Sequence, residues 1–214
     1  MDILEQAAQV IIAGDYARSP DLAQQALDAG QEAHVIMKAM VDAMDTVGEE
    51  WRIGNMFIPE VLLSAKAMHD GMDVLRPHLS AADSSLRGTV VIGTVQGDLH
   101  DIGKTLVGMM LEGGGFQVYD LGVNVSPSQF VEAVKTYSPD IVGMSALLTT
   151  TLPYMRDTIR SLEEAGVRDS VKVLIGGAPV TEEFTDSIGA DGYGPDGATA
   201  VIKARELVGE AQGR

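Results

Sequence analysis

The residues best suited to chemistry in this chain are Asp98, His100 and Gly103, which form an Asp-x-His-x-x-Gly arrangement. They follow an apolar run at residues 89–95 and precede a helix-forming stretch at 104–111. A histidine in a strand–loop–helix, at the carboxyl end of the strand, lies where open α/β sheets bind ligands. The carboxylate can orient the imidazole, as it does for metal-bound histidines, and Gly103 lets a bulky ligand approach the backbone. These features predict a ligand loop centred on His100.

The same loop has some features of a phosphate-binding loop, because Gly97 and the Gly-Lys-Thr run at 103–105 resemble a Walker A motif. That motif needs four residues between its glycines, whereas this chain has five, at 98–102. Two acidic side chains inside the loop would also repel phosphate. The sequence therefore argues against this type of nucleotide site.

A divalent-metal site and a purely structural histidine are two further interpretations of the loop. Asp98, His100 and Asp101 could ligate a metal, but no Cys or His cluster accompanies them to complete the coordination. The other histidines are all in the preceding helical region, at His34, His69 and His78. A loop histidine that hydrogen-bonds a neighbouring Asp is common, so the loop on its own does not exclude a structural role.

Residues 1–79 have the apolar periodicity of helices and are predicted to form a four-helix bundle. The predicted helices run from Ile3 to a break at Gly14, from Asp21 to Ala29, from His34 to Trp51, and from Pro59 to Leu75. Small polar residues then predict a linker over residues 80–87. We expect this linker to act as a hinge between two domains.

Residues 88–214 alternate between strand and helix patterns. The candidate strands are Val90–Val95, Gln117–Leu121, Ile141–Ser145, Val171–Ile175 and a short one at Asp191–Tyr193. The intervening helices centre on Gly108, Glu132, Ile159 and Phe184, with a final helix over Ala198–Val208. This alternation predicts a Rossmann-like (flavodoxin-like), doubly wound sheet of five parallel strands. The carboxyl ends of its strands, including His100, Ser145 and Gly176, would share one edge.

Composition excludes several classes of protein. Hydrophobic residues make up 45% of the 214, enough for two modest domains, yet no run approaches the roughly 18 residues of a membrane span. The chain has no cysteine and hence no disulfide, thiolate nucleophile or iron–sulfur cluster. The amino terminus lacks the features of a signal peptide, so a cytoplasmic protein is expected. The net charge of −16 argues against binding to nucleic acid or an anionic membrane.

Four segments of the second half resemble the corrinoid (cobalamin-binding) proteins and occur in that family's order. After the His100 loop come the Ser-x-Leu segment at 145–149, the glycine pair at 176–177, and the loop at 193–197. The cofactor-binding residues that the resemblance implies here are Gly97, Asp98, Leu99, His100, Asp101, Ile102, Gly103, Ser145, Leu147, Thr149, Gly176, Gly177, Pro195, Asp196 and Gly197.

The resemblance also implies a role for each segment. His100 would be the lower axial ligand of cobalt and replace the cofactor's own base, with Asp98 as its hydrogen-bond partner. Ser145 would extend that hydrogen-bond relay. The displaced nucleotide tail would thread into the α/β domain, where the glycine pair at 176–177 makes room for it.

The helical half resembles the bundle that covers the upper corrin face in methyl-carrying cobalamin proteins, including the cobalamin module of methionine synthase. By position in the motif, Trp51, Ile58 and Val61 would lie over the cobalt and exclude water. A known member of the family has Phe at the position of Trp51. The alternative is that all three side chains belong to the bundle core, which helical spacing also allows.

The resemblance implies a corrinoid carrier protein of a cobalamin-dependent methyltransferase system, with no complete active site of its own. It would accept a methyl group from a substrate-specific methyltransferase. The family's donors include methanol, methylamines, betaines and methoxylated aromatics, and overall resemblance favours an O-demethylase for methoxylated aromatics. A second methyltransferase would pass the methyl group to tetrahydrofolate or a thiol, and a reductive activator would restore the cobalt. A cobalamin-dependent mutase subunit and a cobalamin-binding sensor are alternatives. The helical half argues against the first, and the lack of a basic helix-turn-helix argues against the second.

Overall fold

A computed structural model describes residues 1–79 and 87–209 of this chain, which fall into two compact units. One unit is helical and consists of residues 1–79 with 112–115, and the other is α/β and consists of 87–111 with 116–209. The domain boundaries at 79 and 88 remain predictions. The predicted linker over 80–87 falls largely on residues 80–86, which lie outside the described residues.

The helical unit contains the four helices that the periodicity predicts. They are α1 (Ile3–Ile12), α2 (Ser19–Asp28), α3 (Ala33–Arg52) and α4 (Ile58–Leu75), followed by a 3₁₀ turn at Arg76–His78. Helix α1 packs against α3, α2 packs against α4, and α3 packs against α4. The prediction of a four-helix arrangement is therefore confirmed.

Local signals set the ends of these helices. Asp2 caps α1 and forms a capping box with Glu5, and Gly14, with a φ of 65°, follows the end of that helix. Pro59 lies in the first turn of α4, where its missing N–H costs no hydrogen bond. In the same turn, the carboxylate of Glu60 accepts a hydrogen bond from the Phe57 amide. The break at Gly14 and the start at Pro59 are therefore used as predicted, whereas the Asp2 cap and the Glu60 contact were found only in the structure.

The α/β unit is a five-stranded, all-parallel sheet in the order β2-β1-β3-β4-β5. Its strands are β1 (Gly88–Thr94), β2 (Phe116–Asp120), β3 (Ile141–Ser145), β4 (Lys172–Gly176) and β5 (Gly192–Gly194). The helices that alternate with them are α5 (Ile102–Gly113), α6 (Pro127–Tyr137), α7 (Pro153–Glu164), α8 (Glu182–Ile188) and α9 (Gly197–Leu207). This is the doubly wound, flavodoxin-like order, and strand bounds differ from the predicted ones by at most two residues.

The register of the sheet places the ends of four strands at one level. Thr94 pairs with Ser145, Ser145 with Gly176, and Gly176 with Gly194. The chain changes direction of winding between β1 and β3, and ligands of open α/β sheets bind at such a switch point, outside the carboxyl ends. The His100 loop leaves β1 at this point, so the fold places it where a ligand is expected.

Candidate ligand site at the carboxyl edge of the sheet

The centre of the site is a hydrogen-bonded pair formed by Asp98 and His100. The Asp98 side chain has no exposed surface, whereas 52% of the His100 side chain is exposed. Asp98 Oδ1 lies 2.6 Å from His100 Nδ1 and also accepts a hydrogen bond from the His100 amide, at 3.1 Å. The pair is thus a buried carboxylate that supports an imidazole facing outward.

The second oxygen of Asp98 is held by the segment after β3. Asp98 Oδ2 accepts hydrogen bonds from the amides of Leu147 (2.7 Å) and Leu148 (3.2 Å) and from the hydroxyl of Thr151 (3.0 Å). Ser145, which was expected to extend the relay, is not one of these partners. Ser145 is the last residue of β3, and the chain turns back toward Asp98 only after it, so a place for Ser145 in the relay stays a prediction.

These hydrogen bonds determine the charge of Asp98 and the tautomer of His100. Burial raises the pKa of Asp98, but hydrogen bonds from the Leu147 amide, the His100 ring and amide, and Thr151 outweigh it and hold the pKa well below its usual range. Asp98 is therefore an anion at neutral pH and can only accept. Nδ1 of His100 must then carry a proton in this contact, so Nε2 is the ring nitrogen that can serve as a metal ligand.

The loop around His100 exposes apolar side chains, and its backbone is held by a hydrogen bond from β1. The hydroxyl of Thr94 donates a hydrogen bond of 2.8 Å to the His100 carbonyl. Leu99 is 71% exposed and Ile102 is 86% exposed, which is unusual for side chains of this type. A Cβ added to Gly103 would meet nothing within 4 Å, so there is open space beside its backbone. The surface beside His100 therefore offers exposed apolar side chains and room for a ligand close to the backbone.

The glycine pair at the end of β4 lies against neighbouring backbone. A Cβ on Gly176 would be 2.5 Å from the carbonyl oxygen of Gly194 in β5. A Cβ on Gly177, whose φ is 121°, would collide with the carbonyl of Ala146 after β3. Both positions therefore need glycine for the packing of three strand ends, a reason that differs from the expected one. That they also make room for a nucleotide tail stays a prediction.

The remaining predicted residues of this unit also lie beyond strand ends. Thr149 is in the turn between β3 and α7, and Pro195 follows β5. Asp196 caps α9 through a 2.8 Å hydrogen bond from the Thr199 amide, and Gly197 is the first residue of that helix. The structure thus brings all four predicted segments to one edge of the sheet.

The three residues predicted for the helical unit differ in exposure. Trp51 lies near the end of α3 and is partly buried. Ile58 is the first residue of α4 and is half exposed, while Val61, one turn later, is buried. Their proposed position over a corrin stays a prediction.

Residues 88–202 match the family described as B12 binding domain, and residues 3–76 match a second family with the same description. The chain is 41% identical over 210 residues to trimethylamine corrinoid protein 1 of Methanosarcina acetivorans, and the match covers 97% of each chain. The chain belongs to the corrinoid proteins.

Solved structures agree with this assignment. A cobalamin-binding protein from Desulfitobacterium hafniense is 35% identical, with a TM-score of 0.76 and coverage of 96% of this chain and 98% of that one. A chain of the methanol:cobalamin methyltransferase complex of Methanosarcina barkeri is 29% identical, with a TM-score of 0.86 and coverage of 98% of this chain and 80% of that one.

The predicted cofactor, cobalamin, is confirmed for this corrinoid protein. The residues present suit it, because the His100 side chain is half exposed, its Nδ1 is held by Asp98 so that Nε2 is available to cobalt, and the space at Gly103 is open. Relatives of this kind are carrier subunits of multi-component methyltransferase systems and not catalysts alone, which confirms the prediction of a carrier.

The structure also bears on a divalent-metal site and on a membrane span. In residues 1–79 and 87–209, no group of three or more His, Cys, Asp or Glu side chains could hold a metal ion, so Asp98, His100 and Asp101 do not form a divalent-metal site. None of the helices described is long and apolar enough to cross a membrane.

Sequence reasoning missed several residues that support the ligand loop of the corrinoid protein. Thr151 donates to Asp98, Thr94 donates to the His100 carbonyl, and Asn124 accepts a 2.8 Å hydrogen bond from the Gly97 amide. Thr151 carried a weak signal, since it ends a run of three threonines that follows Ser-x-Leu. Thr94 and Asn124 carried none, because their contacts depend on how separate loops pack.

Proposed function

We propose that this corrinoid protein accepts a methyl group from a substrate-specific methyltransferase and presents it to a second methyltransferase. The observation that carries the proposal is the buried Asp98 carboxylate, which contacts Nδ1 of the half-exposed His100 side chain and leaves Nε2 as the ring nitrogen available to a ligand. Such an imidazole would be the side chain that holds the cobalt of the cofactor. When bound, the cobalamin supplies the cobalt centre that carries the methyl group.

The protein's own residues would orient the cofactor and set its electronic environment. Asp98 stabilises positive charge on the His100 ring and keeps its tautomer fixed, so that the ligand strength of Nε2 is defined. The segments at 145–149, 176–177 and 195–197 are proposed to bind the rest of the cofactor, including the displaced nucleotide tail.

The methyl donor is proposed to be a methylated amine. The similarity to trimethylamine corrinoid protein 1 of Methanosarcina acetivorans extends over 97% of both chains and supports this donor class over the methoxylated aromatic expected earlier. Methyl transfer to the cobalamin-loaded protein should be measured with partner methyltransferases for trimethylamine, methanol and a methoxylated aromatic. The same assay should compare tetrahydrofolate with a thiol as acceptor, and test the need for a reductive activator. The relatives named above give no support to a mutase subunit or a sensor.

Replacement of His100 tests the proposed cobalt ligand directly. Protein reconstituted with cob(II)alamin should show hyperfine coupling from one histidine nitrogen, and labelling the histidines with ¹⁵N should change that coupling. His100→Ala should lose it, while His34→Ala, His69→Ala and His78→Ala should keep it. Unchanged coupling on labelling would show that no protein histidine binds the cobalt.

Trp51 tests the proposed cover over the methyl face. Trp51→Ala should retain cobalamin but speed the oxidation of the reduced cobalt by several-fold, because water and oxygen would reach it more easily. Ile53→Ala is a control, since Ile53 is an exposed apolar residue next to α3 that was not predicted to contact the cofactor. Equal oxidation rates in the wild-type protein and Trp51→Ala would assign Trp51 to the bundle core instead.

A further inference from the structure

The segment at the carboxyl end of β2, residues 120–124, contacts the ligand loop on both sides of His100. On the amino-terminal side, Asn124 Oδ1 accepts a hydrogen bond from the Gly97 amide at 2.8 Å, and the Asn124 amide donates to the Asp98 carbonyl at 3.0 Å. One residue thus holds both ends of the Gly97–Asp98 dipeptide. Asp98 is the residue that orients His100, so any shift of this dipeptide would move the imidazole.

Asn124 is itself held in place by the end of β1. The carbonyl of Gly122 accepts a 3.0 Å hydrogen bond from the Thr94 amide, and the Val125 amide donates a 2.9 Å bond to the Thr94 carbonyl. Asn124 lies between them with a φ of 54°, a left-handed conformation that Asn adopts more readily than most residues. Because Gly122 and Val125 are both hydrogen-bonded to the end of β1, the position of Asn124 relative to the sheet is fixed.

On the carboxyl-terminal side, Lys104 in the first turn of α5 forms an ion pair with Asp120. Only 2% of the Lys104 side chain is exposed, and a cation near the start of a helix opposes the helix dipole. Packing would favour an apolar residue at this place, since a buried ammonium group carries a desolvation cost. Asp120 is held in turn by a 2.8 Å hydrogen bond from the Gly122 amide.

We propose that residues 120–124 are the positioning element of the ligand loop, with Asn124 and the Lys104–Asp120 pair as its two anchors. Together they determine where Nε2 of His100 points when the cofactor approaches. Small displacements matter for such a ligand, because coordination requires the donor atom to be held within about 0.5 Å of its productive position. The proposal rests on the proposed function in one respect, that cobalt is the atom that His100 binds.

Asn124→Gly tests the first anchor because it retains the left-handed backbone and removes only the acceptor for Gly97. In the apoprotein, solvent exchange of the His100 Nδ1 proton, measured by NMR, should become faster. Affinity for cob(II)alamin should fall about tenfold, at the lower end of the effect of residues that orient metal ligands. Asn124→Asp retains an acceptor oxygen and should restore both measurements. The control is Ser138→Gly, since Ser138 also has a positive φ, 46°, but lies at the end of α6.

Lys104→Met tests the second anchor. It removes the buried charge at similar volume, so folding stability should change little, while the fraction of cob(II)alamin with histidine coupling should fall. Arg168→Met is the matched control, because it breaks a 2.7 Å ion pair with Asp191 beside β4, away from the ligand loop. Melting temperatures of all five variants separate changes in positioning from general loss of structure.

The proposal is overturned if Asn124→Gly and Lys104→Met match their controls in both the exchange rate and the cob(II)alamin affinity. It is also overturned if the faster exchange and the weaker affinity change only in proportion to the fall in melting temperature, which would indicate a purely structural role. Absence of histidine coupling in the wild-type holoprotein would instead contradict the proposed function. The exchange rates of the apoprotein would still decide whether residues 120–124 position His100.

Discussion

The two ends of the ligand-binding edge of the sheet are stabilised in different ways. Beyond β1 and β3, a charged side chain is buried and every oxygen of Asp98 is hydrogen-bonded. At the end of β4, Gly176 and Gly177 carry no side chain and let backbone approach backbone. The first end depends on what a side chain donates or accepts, and the second depends on the absence of any side chain. Substitutions should therefore act through hydrogen bonding at one end and through steric collision at the other.

The largest effect is expected at the glycine end, from Gly177→Ala. The new Cβ would collide with the Ala146 carbonyl, and alanine tolerates a φ of 121° poorly. Strain and overpacking together should lower the free energy of unfolding by about 4 kcal/mol, measured by urea denaturation. Gly189→Ala, with a φ of 73° and open space around it, should cost only about 1 kcal/mol. If Gly177→Ala and Gly189→Ala lost the same unfolding free energy, the strand ends would be able to move apart without cost.

Asp98→Asn should have the next largest effect, about 3 kcal/mol of unfolding free energy, because an amide cannot accept all the hydrogen bonds that converge there. The folded pKa of Asp98 lies below its ordinary value of 3.8. The stabilisation by the carboxylate is therefore complete above about pH 5 and is lost as the pH falls toward the folded pKa.

The difference in unfolding free energy between wild type and Asp98→Asn, measured from pH 7 to pH 3, should be constant above about pH 5 and then decrease. A difference that grows on acidification would contradict the anionic state of Asp98. Because an amide can donate to Nδ1, this variant should also lose the histidine coupling of the holoprotein.

The smallest effect distinguishes Thr151 from Ser145 at the charged end. Thr151→Val removes one hydrogen bond to Asp98 at nearly constant volume and should cost about 1 kcal/mol. In a double-mutant cycle with Asp98→Asn, Thr151→Val should show a coupling of similar size, and Ser145→Ala should show none. A larger coupling energy with Asp98→Asn for Ser145→Ala than for Thr151→Val would mean that Ser145 extends the hydrogen-bond relay, as the sequence indicated.

The same contrast explains which parts of the site were visible in the sequence. Asp98 and His100 are two residues apart, so their contact is nearly a property of the local chain. Gly176 and Gly177 were also recognised, although the physical reason for them lies in Ala146 and Gly194 on neighbouring strands. Thr151 is 53 residues from Asp98 and was missed, because no local pattern says which hydroxyl will reach a buried carboxylate after the chain turns.

The sequence alone determined the elements of this protein and the chemistry of its central pair. Apolar periodicity, helix caps and glycine breaks act over a few residues, and they placed the helices and strands within about two residues of their observed ends. Only the tertiary structure decided which loops support His100. The contacts of Asn124, Lys104 and Thr151 bring together segments that follow different strands, and the order and register of the sheet, not local propensity, select them.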